Sequence, residues 1–316
     1  MDAPLLWSHL LLSHRLHRFI SLDFLAIFGY YDISVKRLLS NIRFRKGHAI
    51  VIITQFGSSS ERGIRREGFF AFFEDIGPHY YTGNGFELFT TFHFIVLIIM
   101  AVFVAMMCLI YVRLDDRRRQ NTLKIIALII LTTEVMKQLT FLLIHGAYWP
   151  FLLPFHLCAM AMFIHLIHAF WPNKTTGELS YALCLPGAIT ALIFSGWMGY
   201  PIINFYFLHS LLFHVLHVAF TLMLICGGDL KPDAKQLWRP IVFLAIVVPL
   251  IYAFNVWQDT NFFFVNAGAE ASPLEFFIYH LGAPWFLIPF AGMLLIVWFL
   301  KYLPWVLAKK VNSYKK

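Results

Sequence analysis

The chain has 316 residues, of which 59% are hydrophobic and only 13% charged, with a formal net charge of +8 and a mean hydropathy of +0.70. Soluble domains run to about half apolar and about a quarter charged, so this chain lacks the polar surface that a water-exposed fold needs, and a soluble class is excluded. Its basic residues fall between long apolar runs with no aromatic-interleaved basic patch, so the charge reads as a topology signal and no nucleic-acid partner is expected.

Residues 1–68 hold ten Lys/Arg between Arg15 and Arg66. Their apolar stretches, Phe24–Tyr31 and Ala49–Phe56, are too short to span a bilayer. They also lack the single apolar core and cleavage site of a signal peptide. The expectation is a basic N-terminal extension, disordered or non-native, arising from an upstream extension of the reading frame. The functional chain then begins near Gly68-Phe69-Phe70. A basic extracytoplasmic arm and an amphipathic surface segment are the other readings.

Crossing the hydrocarbon core takes about 20 apolar residues as a helix. Seven candidates follow in order: Leu88–Val112, Leu123–Ile144, Phe151–Phe170, Leu179–Trp197 with a kink at Pro186-Gly187, Ile203–Cys226, Leu237–Val256 and Pro284–Leu303. The expected fold is all-α, a polytopic bundle over residues 69–308 with a basic tail at 309–316. Charges alternate between the connections. One side carries Arg113 and Arg117–Arg119, then Lys174, then Lys231, Lys235 and Arg239, then the C-terminal lysines. The other carries Tyr148, Trp149, Tyr200, Asp259, Glu270 and Glu275 with no Lys or Arg. The positive-inside rule makes the basic side cytoplasmic, with the first helix starting outside and the C-terminus inside. The bilayer itself is the expected partner.

An ionisable group inside a bilayer is costly, so it faces the bundle interior or a wet cavity and invites a functional reading. At about 1.5 Å per residue, His93, His156, Cys158, His209, Asn255 and His280 fall within roughly 10 Å of the outer surface. Asn204 lies at that level too, with Asn261 and Asn266 in the adjoining loop. Side chains from several helices at one level can line one chamber; interhelical hydrogen bonding is the alternative use. Within the string Leu153-Pro154-Phe155-His156-Leu157-Cys158, Pro154 suits the first turn of a helix. Cys158 would then sit where the helix dipole favours a thiolate, a competent acyl acceptor if a base is near. His156 is two residues away, about 200° around the helix, so His209 is the expected base and His156 its alternate. The opposing reading of Cys158 is a small buried apolar residue.

Glu134 and Lys137, three apart in the second helix, form an expected intramembrane ion pair. Deeper in, His165 and His168 on the third helix and His214 and His217 on the fifth could ligate haem or a metal. Cross-helix hydrogen bonding explains them equally well. Cys108, Cys158, Cys184 and Cys226 all lie in apolar segments without metal-ligand spacing. No metal and no cofactor is therefore expected.

Phe69-Phe70-Ala71-Phe72-Phe73, Phe86-Glu87-Leu88-Phe89 before His93, the 153–158 string, Asn204-Phe205-Tyr206-Phe207-Leu208-His209 and Asn255 with Thr260-Asn261-Phe262-Phe263-Phe264 resemble the bacterial YwaF-like integral membrane proteins. The likeness runs over about residues 68–308. That family is similar to a eukaryotic transmembrane acyltransferase group acting on ether phospholipids, itself distantly similar to hydrolases of fatty acid esters of hydroxy fatty acids. The resemblance implies a multi-pass protein of a bacterial plasma membrane. It also implies a nucleophile and a histidine on separate helices acting on an acyl ester of a phospholipid, here Cys158 and His209. The hydrolases use threonine at the nucleophile.

Three functions remain open at this point. The first is an acyl-lipid transferase or hydrolase with Cys158 and His209 catalytic, Asn204 or Asn255 bonding the oxyanion, and His93, Asn261 and His280 as binding groups. The second is a transporter or lipid/solute-binding protein without covalent chemistry. The third is a haem or metal membrane protein built on the inner histidines.

Overall fold

The computed structural model describes residues 72–73, 87–145, 147, 149–194, 200–269 and 272–314, the last four by backbone alone. All belong to one unit, Arg65–Lys316. The reading of 1–68 as an extension therefore lies outside the described residues, as do Lys315 and Lys316.

Helix α1 (Thr91–Tyr111) starts where the Thr90 hydroxyl accepts a bond from the His93 amide at 3.3 Å. This N-cap satisfies an amide that the helix itself cannot. Asp115 caps α2 (Asp116–Leu143) in the same way through the Arg118 amide. That cap explains why α2 begins a full charged turn before the apolar run from Leu123. After a short 3-10 turn (Trp149–Leu152), α3 covers Leu157–Phe170. Pro154 thus stands in the connection and not in the helix's first turn. It has no amide to donate and pushes the residue before it out of the helical region. Cys158 is consequently the second helical residue.

Helix α4 (Lys174–Ile193) carries the expected irregularity one turn early. Between two α-helical stretches its turn widens to a π-helix over Ser180–Cys184, with the Leu185 amide bonded to the Ser180 carbonyl. Pro186 cannot donate to the carbonyl four residues back, Ala182. That carbonyl instead accepts the Trp298 indole N–H at 2.9 Å. Next come α5 (Phe205–Cys226), α6 (Trp238–Gln258), a short α7 (Pro273–Leu281) and α8 (Leu287–Tyr314). Among the described residues seven helices are long and apolar enough to cross a membrane.

Helix α5 is the axis of the bundle. Its apolar window is 78% buried, against 22% for α1 and 11% for α8. It packs on α1, α2, α3 and α4. The outer helices show apolar residues on both faces. On α1 the sequence Ile95, Ile98, Val102, Met106 and Leu109 is exposed, while Val96, Val104, Cys108 and Tyr111 face the core. Both sets repeat at helical spacing, because lipid and core are equally apolar surroundings.

The basic connections meet at one end. The Arg119 guanidinium donates to the Gly227 carbonyl at 2.9 Å, and the Tyr111 hydroxyl donates to Asp229 at 2.8 Å. A Cβ on Gly227 would fall 2.6 Å from the Tyr111 ring, so only glycine permits this approach. Glu178 accepts from the Asp233 amide at 3.0 Å and the Tyr302 hydroxyl at 2.8 Å. Lys309 bonds Asp233 at 3.0 Å and holds its carboxyl below the usual aspartate range. The loops after α1, α3 and α5 and the end of α8 thus share one face, as the charge alternation requires.

Candidate functional site

Glu134 is buried at 2% exposure inside an apolar bundle. An isolated carboxylate there would be prohibitive, so its partners are decisive. Its Oε1 lies 2.7 Å from Lys137 Nζ, one turn on, and accepts from Gln138 Nε2 at 2.8 Å. Its Oε2 points across to α5, where His209 Nε2 stands 3.6 Å away. The Thr133 backbone is the ring's other hydrogen-bond neighbour. Phe213 stacks on the imidazole at 5.3 Å and 21°, fixing its plane. Nearby, the Tyr206 hydroxyl donates to Thr140 at 3.1 Å, a second link between the same two helices.

The start of α3 adjoins this cluster. Helices α2, α3 and α5 pack on one another, and the Glu134–Lys137 pair interacts electrostatically with His156, Cys158, His209 and His214. His156 is accessible although protein surrounds it on most sides, the arrangement of a crevice wall. Cys158 is half-buried and free, and Lys137 keeps 25% of its side chain exposed. His156 offers no side-chain cap, so the first amides of α3 stay free beside Cys158.

A loop after α6 closes over His156, with Phe262 and Phe264 packing on the imidazole at 4.9 and 5.4 Å. Asn255 holds that loop. Its Oδ1 accepts from the Phe262 amide and the Thr260 hydroxyl, both at 2.9 Å. Its Nδ2 donates to the Phe262 carbonyl at 2.9 Å and to Asn266 at 2.7 Å. Asn261 ties the loop's far side, bonding the Ala267 amide and carbonyl. Asp259, Phe263 and Phe264 all have positive φ, 52°, 59° and 55°. For bulky side chains this is strained backbone, held only by a well-determined surrounding.

The other expected site residues lie elsewhere. His93 is fully buried, its Nε2 bonded to the Leu192 carbonyl at 3.1 Å and its Nδ1 to the Phe89 amide at 3.0 Å, which fastens α1 to α4. Asn204 caps α5 through the Tyr206 and Phe207 amides. His280 is exposed on α7, beside Phe276 at 4.4 Å. The chamber expected from helical depth is therefore narrower than the set that suggested it. Glu134, Lys137, His209, His156 and Cys158 converge, Asn255 and Asn261 shape the covering loop, and His93, Asn204 and His280 stand apart.

Gln138 was not among the expected residues, although its position four after Glu134 puts it on the same face. The inner histidines form a separate network. His165 bonds His217 through their Nδ1 atoms and Ser180 through Nε2, both at 2.9 Å, and Ser180 bonds Thr221 at 2.7 Å. His168 pairs with Thr176 at 2.8 Å. Among the described residues no group of three or more His, Cys, Asp or Glu is arranged to hold a metal ion.

No curated protein matches this chain, and no solved structure does. A family model does match, over residues 88–302, which takes in every span from α1 into α8 and the whole converging cluster. With more than half of its length so matched, the chain belongs to the TMEM164 family.

Proposed function

We propose that this multi-pass membrane protein is an acyl-lipid transferase or hydrolase whose site lies where α2, α3 and α5 meet. The observation that carries the reading is the Glu134–His209 contact at 3.6 Å beside an accessible, half-buried Cys158. A carboxylate that orients an imidazole, next to a thiol, is the arrangement that nucleophilic acyl transfer needs. Separations somewhat beyond hydrogen-bond length are common before substrate tightens the site.

In this reading His209 takes the Cys158 thiol proton and the sulfur attacks an ester carbonyl. The free amides at the start of α3 receive the developing oxyanion, a role their position suits better than the engaged side chains of Asn204 and Asn255. The ester C–O bond breaks, the leaving oxygen takes the proton from His209, and an acyl thioester remains on Cys158. Water or a lipid alcohol then receives the acyl group. Glu134 stabilises the imidazolium, and Lys137 keeps Glu134 ionised. His156 and the loop held by Asn255 and Asn261 shape the acyl groove. The likeness of the site strings to YwaF-like proteins and to eukaryotic ether-phospholipid acyltransferases supports acyl chemistry. The positive-inside rule supports a bacterial plasma-membrane orientation with the basic end in the cytoplasm, which puts the site in the outer leaflet.

Turnover of phospholipid esters by purified protein tests this, with Cys158→Ala expected to abolish it and Cys158→Ser to leave a small remainder. Unchanged turnover in Cys158→Ala removes the nucleophile. A second reading, lipid or solute transport without covalent chemistry, is favoured by the buried Glu134–Lys137 pair alone. Flux across liposomes with no product formed would select it.

A further inference from the structure

Among the described residues four buried side-chain atoms lack a hydrogen-bond partner: Glu134 Oε2, Gln138 Oε1, His209 Nε2 and His217 Nε2. Three of these four lie in one place. The Gln138 amide donates to Glu134 Oε1 at 2.8 Å, which fixes its orientation and leaves the carbonyl oxygen free. Glu134 Oε2 and His209 Nε2 face each other at 3.6 Å, too far to satisfy one another. Burying one such atom unbonded is costly, and three at one point call for a common partner.

The chemistry of the three atoms selects that partner. A carboxylate oxygen and an amide oxygen only accept, and an imidazole nitrogen accepts whenever the other nitrogen carries the proton. The partner must therefore donate. A phosphate or carboxylate has no proton to give. A second ammonium is disfavoured because Lys137 already sits 2.7 Å from the same carboxylate. A hydroxyl fits: it donates, and its oxygen keeps lone pairs for attack.

We propose that Glu134 Oε2, Gln138 Oε1 and His209 Nε2 seat the hydroxyl that accepts the acyl group in the second half-reaction. This rests on the acyl-enzyme reading above. The hydroxyl gives its proton to His209 Nε2 and its oxygen attacks the thioester carbonyl. The C–S bond breaks, and the departing Cys158 thiolate recovers the proton from His209. Gln138 touches only the incoming hydroxyl, so it belongs to acyl discharge and not to acyl loading. Water and a lipid alcohol share this chemistry and are separated by the products.

The test uses the full chain in lipid nanodiscs, loaded with a phosphatidylcholine radiolabelled in one acyl chain. The readouts are the hydroxylamine-labile label on Cys158 and its discharge, with water alone or with added lysophospholipid. Gln138→Met keeps side-chain length and removes the carbonyl; Gln138→Ala is measured beside it, so that misfolding of one variant is recognised. The expected result is loading near wild type in at least one variant, which also reports folding, with discharge slowed about tenfold, as loss of one hydrogen bond to a reacting group implies. Slower release of free fatty acid alone identifies water as the occupant, slower diacyl product alone identifies the lipid alcohol, and slowing of both identifies a shared seat. Unchanged discharge in both arms overturns the seat while leaving the acyl-enzyme intact, and so does a loss of loading in both variants. Absence of any label on wild-type Cys158 overturns the acyl-enzyme reading itself.

Discussion

His209 Nε2 faces Glu134 Oε2 at 3.6 Å, tying the central helix to α2 four residues, about 6 Å, beyond the start of α5. Both side chains are buried, and the only other full charge on this carboxylate is Lys137. The three therefore act as one electrostatic unit inside apolar surroundings.

Removing the carboxylate strands the lysine. Glu134→Leu is expected to destabilise the protein by about 3 kcal/mol, the lower end for a broken buried pair because Lys137 keeps some exposure. Glu134→Leu with Lys137→Met should recover all but about 1 kcal/mol of this, since two apolar chains replace two charges. Denaturation in mixed micelles measures both, and a double variant no more stable than the single one refutes the pairing argument.

Asn255 makes four hydrogen bonds to the loop that covers His156. Asn255→Ala leaves the Phe262 amide and carbonyl without their partner and should cost roughly 2 kcal/mol. The effect should be local. Hydrogen exchange is expected to accelerate at Thr260–Ala267 with the α5 amides unchanged; protection retained in the loop would show that the aromatic packing suffices.

Ser180 joins His165 to Thr221 in the inner network. Ser180→Ala leaves His165 Nε2 with Thr221 alone, at 3.4 Å, and is expected to cost about 1–2 kcal/mol. Thr221→Val, which keeps the Ser180–His165 bond, should cost less. Melting temperatures rank the two, and the reverse order would place the weight of the network on Thr221.

Asp233 lies outside the membrane-spanning helices, and its carboxyl is held below the ordinary value of 3.8, chiefly by its hydrogen bond from Lys309. A depressed carboxylate contributes stability that is present above its unfolded pKa and disappears as pH falls through the folded one. The contact between the end of α8 and the α5–α6 connection should therefore hold at pH 4 and loosen only in more acid solution. Carboxyl NMR titration should show Asp233 moving up toward its ordinary range in Lys309→Ala; an unmoved titration would assign the effect to the Lys235 amide instead.

The spans were legible because about 20 consecutive apolar residues admit few other structures. Their inward faces were not. On α1 the lipid-facing Ile98 and the core-facing Val104 are chemically alike, so periodicity in hydrophobicity is lost. Polar residues broke this degeneracy only in part. Glu134 and Lys137 could be paired from spacing alone. Equal depth could not tell His209, which meets Glu134, from His93, which bonds the Leu192 carbonyl. Depth along an axis is encoded in residue number, but azimuth depends on packing. Asn255 and Asn261 were visible as a polar pair near one level, whereas the backbone they secure, with positive φ at Phe263 and Phe264, has no signal in residue type. Gln138 was overlooked because an uncharged amide four residues after a carboxylate attracts no notice until its oxygen is found buried.

The wide turn at Ser180–Cys184 settles how the last helix is retained. The Ala182 carbonyl takes Trp298, the Tyr181 carbonyl takes Lys301, and the Tyr181 hydroxyl returns a bond to the Lys301 carbonyl at 2.7 Å. Two of these three acceptors on or opposite the turn would survive any exchange of side chain within it, because they are peptide oxygens. Deleting one residue there would restore ordinary pitch, swing everything beyond it by about 100° and withdraw both carbonyls at once. This stretch should therefore accept changes of spelling far more readily than a change of length.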